Sequence, residues 1–311
     1  MYLTVTLNTA LDITYQVPRL RAHESHRVTD VAERPGGKGL NVARVLAALG
    51  HETVVTGLAG GPAGAVLRTL LGEAAGVRDA LVPIAGTTRR TVAVVDDSTG
   101  DTTQLNEPGP LVSATEWDAF CVRYEELLAD ADAVALCGSL PPGLPVGAYA
   151  DLIRRARSAR VPVLLDTSGE PLRRGIAARP DVVKPNAAEL AQLTGTTEPA
   201  RAARDARRRG AGAVVASLGA EGMLAVTGEG AWQAVPPEYV AGNPTGAGDS
   251  AVAALLAGLA SGEPWPERLA RAVALSAATV AAPAAGEFDR TTYDSMLGRV
   301  AVAPRPAVAL T

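Results

Sequence analysis

The sequence predicts an α/β fold: a mostly parallel central sheet covered by helices on both faces, with a small separate β-sheet beside it. Two observations predict this. Short β-branched and apolar runs alternate with segments of ten or more residues that carry a 3.6-residue apolar period, the pattern of strand–helix–strand crossovers. Two stretches in the N-terminal third instead alternate polar and apolar residues, as half-exposed strands do, and stand outside that scheme.

Taken in order, Tyr2–Leu7 reads as the first strand, and Asp12–Val17 and Arg27–Ala32 as two half-exposed strands. Lys38–Leu49 places Leu40, Ala43, Leu46, Ala47 and Leu49 on one helical face, between Gly36–Gly37 and Gly50. Thr53–Leu58 is a strand and Gly64–Ala75 a helix, followed by a hairpin of Thr91–Val95 and Thr102–Leu105 around Asp97–Gly100. The alternation then runs through helix Ala114–Ala129, strand Ala133–Leu136, helix Val146–Arg157, strand Val161–Leu165, a short helix and strand Asp181–Val183. Helix Ala200–Arg209, strand Ala213–Ser217 and a meander over Met223–Val235 follow, and the chain is mostly helical from Gly248 to about Ala282.

Bulk properties exclude several function classes. With 311 residues, 47% hydrophobic and 20% charged, the chain has the make-up of a folded globule. Only 4% of residues are aromatic, so Ala, Val and Leu must build the core. A net charge of −4 has the wrong sign for an extended nucleic-acid surface. Ala251–Ala260 and Ala272–Ala285, the most apolar windows, are interrupted by Gly, Ser, Thr or Pro and predict no membrane partner. The opening MYLTVTLN has neither a basic region nor a long apolar run, so no secretory signal is expected. Cys121 and Cys137 have no metal-ligand spacing and suit a reduced, cytoplasmic protein; His23, His26 and His51 form no ligand set. Lysine occurs twice among 29 basic residues, at Lys38 and Lys184, and both fall inside the motifs below.

The strongest local signal is Asn243-Pro-Thr-Gly-Ala-Gly-Asp249-Ser250 ahead of an apolar helix. Glycines let a ligand approach the backbone, and a helix N-terminus offers free N–H groups to an anion. A carboxylate there suits a base that takes a proton from an attacking hydroxyl while the amides hold a phosphoryl group; read alone, Asp249 is as simply an N-cap. The same residues fit a loose dinucleotide fingerprint, but a preceding strand and a βαβ unit are missing. Pro35-Gly-Gly-Lys38-Gly-Leu-Asn41 supplies an ammonium for a phosphate and an amide for a hydroxyl, or else a glycine turn with a solvated lysine. Lys184-Pro-Asn186-x-x-Glu189 puts an amide and a carboxylate on one helix face, a spacing suited to hydrated Mg²⁺ or to ordinary capping. Asp12 ends the first strand region, where it suits paired sugar hydroxyls. Val215–Gly222 alone is only a turn.

In this order, the segments resemble the PfkB/ribokinase family of sugar kinases over nearly the whole chain, most specifically through PGGKGLNVARVLAALG and NPTGAGDSAVAALLAGL. TLNTALD, GSLPPGLP, LDTSGEPL, VKPNAAEL and SLGAEG are similar to its 1-phosphofructokinase and tagatose-6-phosphate kinase branch. The resemblance implies a ribokinase-like three-layer sandwich in a single domain over 1–311, with a β lid from about 12–34 and 86–107 that makes a homodimer contact in several members. It further implies Asp249 as catalytic base and Gly246, Ala247 and Gly248 as its anion hole. Asn186 and Glu189 would organise Mg²⁺ through water beside the phosphates of ATP. Lys184, Ser217, Gly219 and Gly222, with Gly246 and Gly248, match nucleotide positions; Asp12, Gly37, Asn41 and Ser139 match sugar contacts. Arg27, Lys38 and Arg89 match cations that hold a phosphate already on the sugar.

Four departures from the branch pattern stand out: Thr9 for Pro, His26 for Asn, Thr91 for Asn, and Pro283-Ala-Ala-Gly-Glu287 in place of a Gly/Thr-rich turn beside the adenine pocket. The expected reaction is phosphorylation of fructose 1-phosphate by ATP, with tagatose 6-phosphate or fructose 6-phosphate as alternative acceptors. A non-catalytic sugar or nucleotide sensor and a dinucleotide-dependent oxidoreductase are the readings from other classes.

Overall fold

A computed structural model describes residues 1–282 and 284–305. The N-terminal part holds strands β1 (Tyr2–Thr6), β2 (Ala10–Val17) and β3 (Asp30–Gly36), helix α1 (Lys38–Ala48), strand β4 (Thr53–Gly60) and helix α2 (Gly61–Gly72). Strands β5 (Val77–Asp79), β6 (Val82–Ile84), β7 (Arg89–Asp96) and β8 (Thr102–Asn106) follow. Helices and strands then alternate: α3 (Ala114–Leu128), β9 (Ala133–Cys137), α4 (Ala148–Ser158), β10 (Val163–Asp166), α5 (Gly169–Ala177) and β11 (Val182–Val183). Next come α6 (Ala187–Thr194), α7 (Pro199–Arg208), β12 (Ala213–Ser217), β13 (Met223–Val226) and β14 (Ala231–Val235). The described chain closes with α8 (Ala247–Ser261), α9 (Trp265–Val280), α10 (Arg290–Leu297) and β15 (Ala301–Pro304).

Eleven strands form one sheet in the order β15-β14-β13-β12-β11-β10-β9-β1-β4-β5, with β6 also paired to β4. From β12 to β5 the neighbours run parallel, and β13, β14 and β15 extend that edge antiparallel. The strands alternate their side chains between two cores. Leu3, Val5, Leu136, Val163 and Leu165 face α3 to α7, meeting Phe120, Tyr124, Tyr149 and Ile153. Ala133, Ala135, Cys137 and Val215 face α1, α8, α9 and α10. The small side chains on this second face let α8 lie close, and Ala251 to Gly258 are buried all round, as an apolar helix without a polar stripe requires. The fold is thus the expected three-layer α/β sandwich.

A second sheet, ordered β3-β2-β7-β8, stands apart. Its β2–β7 pair is parallel and its other two pairs are antiparallel.

Prolines move several expected boundaries. The strand expected over Arg27–Ala32 begins only at Asp30, because β2 stops at Val17 before Pro18 and its last partner is Gln16 opposite Asp30. β10 begins at Val163 after Pro162, and α2 begins at Gly61, with Pro62 in its first turn, instead of at Gly64. The helical C-terminal stretch divides at Gly262, in the left-handed region with φ 67°, and Pro264. Strands β5, β6 and β15 and helix α10 were not expected from the sequence pattern; each is short.

Candidate active site

The carboxyl ends of the parallel strands converge where the chain carries its polar residues, as ligand sites in open α/β sheets do. Asp166 ends β10, Lys184 follows β11 and Ser217 ends β12. From the other side come α1 and α8. Two glycines bring α1 in. At Gly37 (φ 111°) a Cβ would sit 2.7 Å from Thr6 Cγ2, and at Gly36 it would sit 2.1 Å from Asp12 Cγ.

Asp249 is not a helix cap. Gly246 holds the N-cap position with φ 85°, and no side chain caps α8. The Asp249 carboxylate, 6% exposed, instead accepts a hydrogen bond of 2.8 Å from Asn41 Nδ2. Burial raises its pKa to about 6; Lys38 opposes the rise and Asp166 adds to it. In the loop ahead of it, the Ala247 N–H donates to Pro244 O at 3.1 Å and the Asp249 N–H to Gly246 O at 2.9 Å. The Gly248 N–H has no such acceptor among the described residues, and a Cβ on Gly248 would lie 3.4 Å from Lys184 Nζ.

Both lysines of the chain meet one carboxylate. Asp166, 1% exposed, has Lys38 Nζ 3.2 Å from Oδ2 and Lys184 Nζ 3.6 Å from Oδ1. Lys38 is 42% exposed on its side chain and Lys184 only 5%. Asp166 is the chief reason that the Lys38 ammonium is held charged well above the usual range, against the opposing effect of burial. No role for Asp166 followed from the motif reading; its signal was an Asp closing the apolar run of β10.

Two clefts flank this centre. One, of about 320 Å³, is lined by Ser217, Gly219, Gly222, Ala247 and Gly248 on its polar side and by Val240, Val273 and Val280 on its apolar side. The other, of about 380 Å³, lies between the small sheet and α1 and is lined by Asp12, Thr91, Asn41 and Arg44. Burial raises the Asp12 pKa to about 6, opposed by the Thr91 hydroxyl and by Arg89. Ser139 accepts from Asn8 Nδ2 at 3.1 Å.

The sequence itself decides the lineage of this arrangement: residues 5–292 match the model of the pfkB family carbohydrate kinases. The chain belongs to that family. This kinase is 43% identical over 282 residues to a 1-phosphofructokinase of Rhodobacter capsulatus, covering 88% of this chain and 89% of that one. It superposes with a TM-score of 0.86 on Escherichia coli phosphofructokinase-2 in complex with fructose-6-phosphate, at 30% identity, covering 95% and 97% of the two chains. Arabidopsis thaliana ribokinase, at 24% identity and TM-score 0.70 over 95% and 98%, shares the fold.

The departures of this kinase from its branch now have places. Thr9 is buried, and its hydroxyl donates to Leu58 O of β4 at 2.5 Å. His26 Nε2 lies 2.8 Å from Arg21 O in an exposed turn. Thr91 pairs with Asp12 across β2 and β7, and its hydroxyl is 3.4 Å from Arg89 Nη1. The 283–287 turn requires a correction, with Pro283 outside the described residues. Ala284 and Ala285 line the cleft beside Asp12, not the cleft of Ser217 and Gly248, because Arg44 of α1 holds them there. Arg27 is exposed in the turn joining β2 to β3, because the strand it was assigned to starts three residues later. Lys38 answers to Asp166 and Asp249, and Arg89 to Asp12 and Glu107. The dinucleotide reading also fails on structure. The strand before α8 is antiparallel to its neighbours, and α8 feeds α9 without a crossover strand.

Asn186 and Glu189 form a closed capping box at the start of α6. The Asn186 N–H donates to Glu189 Oε2 at 2.9 Å and the Glu189 N–H to Asn186 Oδ1 at 2.8 Å. A β-bridge from Asn186 to Ser217 sets this box beside the Ser217–Gly222 turn. Glu189 Oε1 takes no part in that box, Asn186 Oδ1 keeps a second lone pair, and Glu189 contributes to the field at Lys38. That donor set fits Mg²⁺, which retains waters and takes few protein ligands when phosphates share it.

Proposed function

We propose that this kinase transfers the γ-phosphoryl group of ATP to a primary hydroxyl of a ketohexose phosphate, first of all the 6-hydroxyl of fructose 1-phosphate. One observation carries the reading: a buried carboxylate, Asp249, follows Gly248 of one cleft, is bonded to Asn41 of the other, and is aimed by that amide instead of capping α8. The likeness to a 1-phosphofructokinase across most of both chains favours fructose 1-phosphate over tagatose 6-phosphate. Fructose 6-phosphate, the sugar bound to the E. coli neighbour, is the second choice.

In this reading Asp249 takes the proton of the sugar hydroxyl as its oxygen forms a bond to the γ-phosphorus, and the bond to the bridging oxygen of ADP breaks. The pKa near 6 leaves Asp249 ionised at neutral pH while making it a better proton acceptor than a solvated carboxylate. The Gly248 amide and Lys184 face the transferring group, and Ser217, Gly219 and Gly222 line the nucleotide's turn. Asp12 and Asn41 orient the sugar hydroxyls, with Gly37 and Ser139 at the edge, and Lys38 and Arg89 attract the sugar's own phosphate. When bound, Mg²⁺ held by Asn186 and Glu189 through water would neutralise charge on the nucleotide phosphates. The small sheet acts as a lid that excludes water from the phosphoryl group.

The outer face of that lid carries Tyr15, Val31, Val92, Val94 and Leu105, with Val31 54% and Leu105 61% exposed. Such an apolar face on a thin sheet is best covered by a second copy of the chain, giving a homodimer. No described helix is long and apolar enough to cross a membrane. Two buried free thiols, Cys121 and Cys137, suit action in the cytoplasm.

An ADP-release screen across fructose 1-phosphate, fructose 6-phosphate, tagatose 6-phosphate, fructose and ribose tests the proposal. Turnover is expected to be fastest on fructose 1-phosphate. ADP release on no sugar phosphate would leave a sensor as the function.

A further inference from the structure

The Arg44–Glu287–Arg34 network plays no part in the chemistry above. Arg44 lies three residues after Asn41 on α1, with its side chain only 17% exposed. Its Nη1 donates to Ala285 O at 3.1 Å and its Nη2 to Glu287 Oε1 at 2.9 Å. Arg34 on β3, the register partner of Asp12, brings Nε within 3.6 Å of the same Glu287 oxygen. The turn ending in Glu287 is thereby pressed onto two parts of the site. At Gly286 (φ 76°) a Cβ would lie 2.8 Å from Arg44 Nη1 and 3.1 Å from Asn41 Oδ1. At Gly246, the first residue of the α8 turn, a Cβ would lie 2.8 Å from the Cα of Ala285. The turn therefore rests on the residue that aims Asp249 and on the residue that starts its helix.

We propose that Glu287 is a positioning residue which, by holding Arg44 and Arg34 together, fixes the base-bearing helix, Asn41 and the Asp12 strand in one frame. The proposal rests on Asp249 being the base. Glu287 and Arg34 are each about one-third exposed (36% and 35%), so solvent screens the ion pairs and their share of global stability is small. Their effect is geometric, because a small misplacement of a base from its hydroxyl is costly in rate. It is also one-sided: Arg34, Arg44, Ala284, Ala285 and Glu287 do not line the nucleotide-side cleft.

The test compares the parent with Glu287→Ala, Glu287→Gln, Arg34→Ala and the Glu287→Ala/Arg34→Ala double variant. Glu287→Ala is expected to lower kcat about tenfold and raise KM for the sugar phosphate, leaving KM for ATP within about twofold. Glu287→Gln should recover part of kcat, since its amide oxygen still accepts from Arg44. The double variant should be little worse than Glu287→Ala alone, as members of one network are non-additive. Hydrogen exchange reads the clamp without turnover: segments 30–36 and 243–249 should both exchange faster in Glu287→Ala. A folded Glu287→Ala protein with the parent's kcat, equal losses for both substrates, or unchanged exchange over 30–36 would overturn the proposal. Were the parent itself to turn over no sugar phosphate, the assignment of Asp249 would fall, and the exchange measurement would still judge the clamp.

Discussion

Asn41 Nδ2 donates to Asp249 Oδ2 at 2.8 Å, joining two residues 208 positions apart in the chain. The bond fixes the carboxylate's direction and leaves its second oxygen for a substrate proton. It also locks α1, which carries Lys38, to α8.

Asp249→Asn is expected to lower turnover by about 10²–10⁴-fold, the usual worth of a general base, with ATP affinity nearly unchanged. The variant should also be more stable. Burial raises this pKa from 3.8 to about 6, so the folded state holds the ionised form at a cost of about 3 kcal/mol. Because the folded pKa is the higher one, that cost is absent below about pH 4 and grows as pH rises to about 6. Thermal melts of both proteins at pH 4 and pH 7.5 check this; the gain should be seen only at the higher pH.

The rate should show an acid limb near pH 6, not near pH 4. Asp249 and Asp12 both have pKa values raised to about 6 by burial, and both act as carboxylates in the proposed reaction. The slope of log kcat/KM below that point should therefore exceed one. A limb centred at pH 4 would remove Asp249 from the role.

Asp166→Asn should unfold more easily by about 3–5 kcal/mol, because it leaves the Lys184 ammonium, 5% exposed, without its counter-charge. Urea melts measure it. Lys38→Ala, at a far more exposed position, should cost little stability and raise KM for a phosphorylated sugar much more than for ATP.

Gly36→Ala places a methyl group where the Asp12 carboxylate now lies, 2.1 Å from Cγ. The side chain must swing away. Sugar-phosphate KM is expected to rise about tenfold or more, with ATP binding unaffected, as isothermal titration with each ligand would show.

These relationships were legible in the sequence to different depths. The motifs around Lys38 and Asp249 were visible because glycines and a helix start bracket each one, and that around Lys184 because a strand end runs through Pro185 into a helix start. Asp166 was not, because nothing local distinguishes an Asp at the end of VLLD from an ordinary strand end. Its meaning comes from two lysines, one brought from the start of α1 and one from the end of β11. The start of β3 misled for the opposite reason: an alternating pattern continues back past Asp30, and only the loss of pairing at Pro18 ends the strand. Helix α10, eight residues starting after an Asp289 cap, and the three-residue strands β5 and β6 are too short for periodicity to reveal. The departure at 283–287 was legible as a departure, but its side of the site depended on Arg44 reaching it from α1.

An amine count this low has a practical use. Apart from the α-amino group, which is paired to Asp132, the protein offers acylating or aldehyde reagents only two primary amines. One is buried and the other is kept protonated by Asp166. Slow labelling at Lys38, quickened by anything that draws Asp166 away and blocked by a phosphorylated sugar, would turn a simple mass shift into a reporter of occupancy.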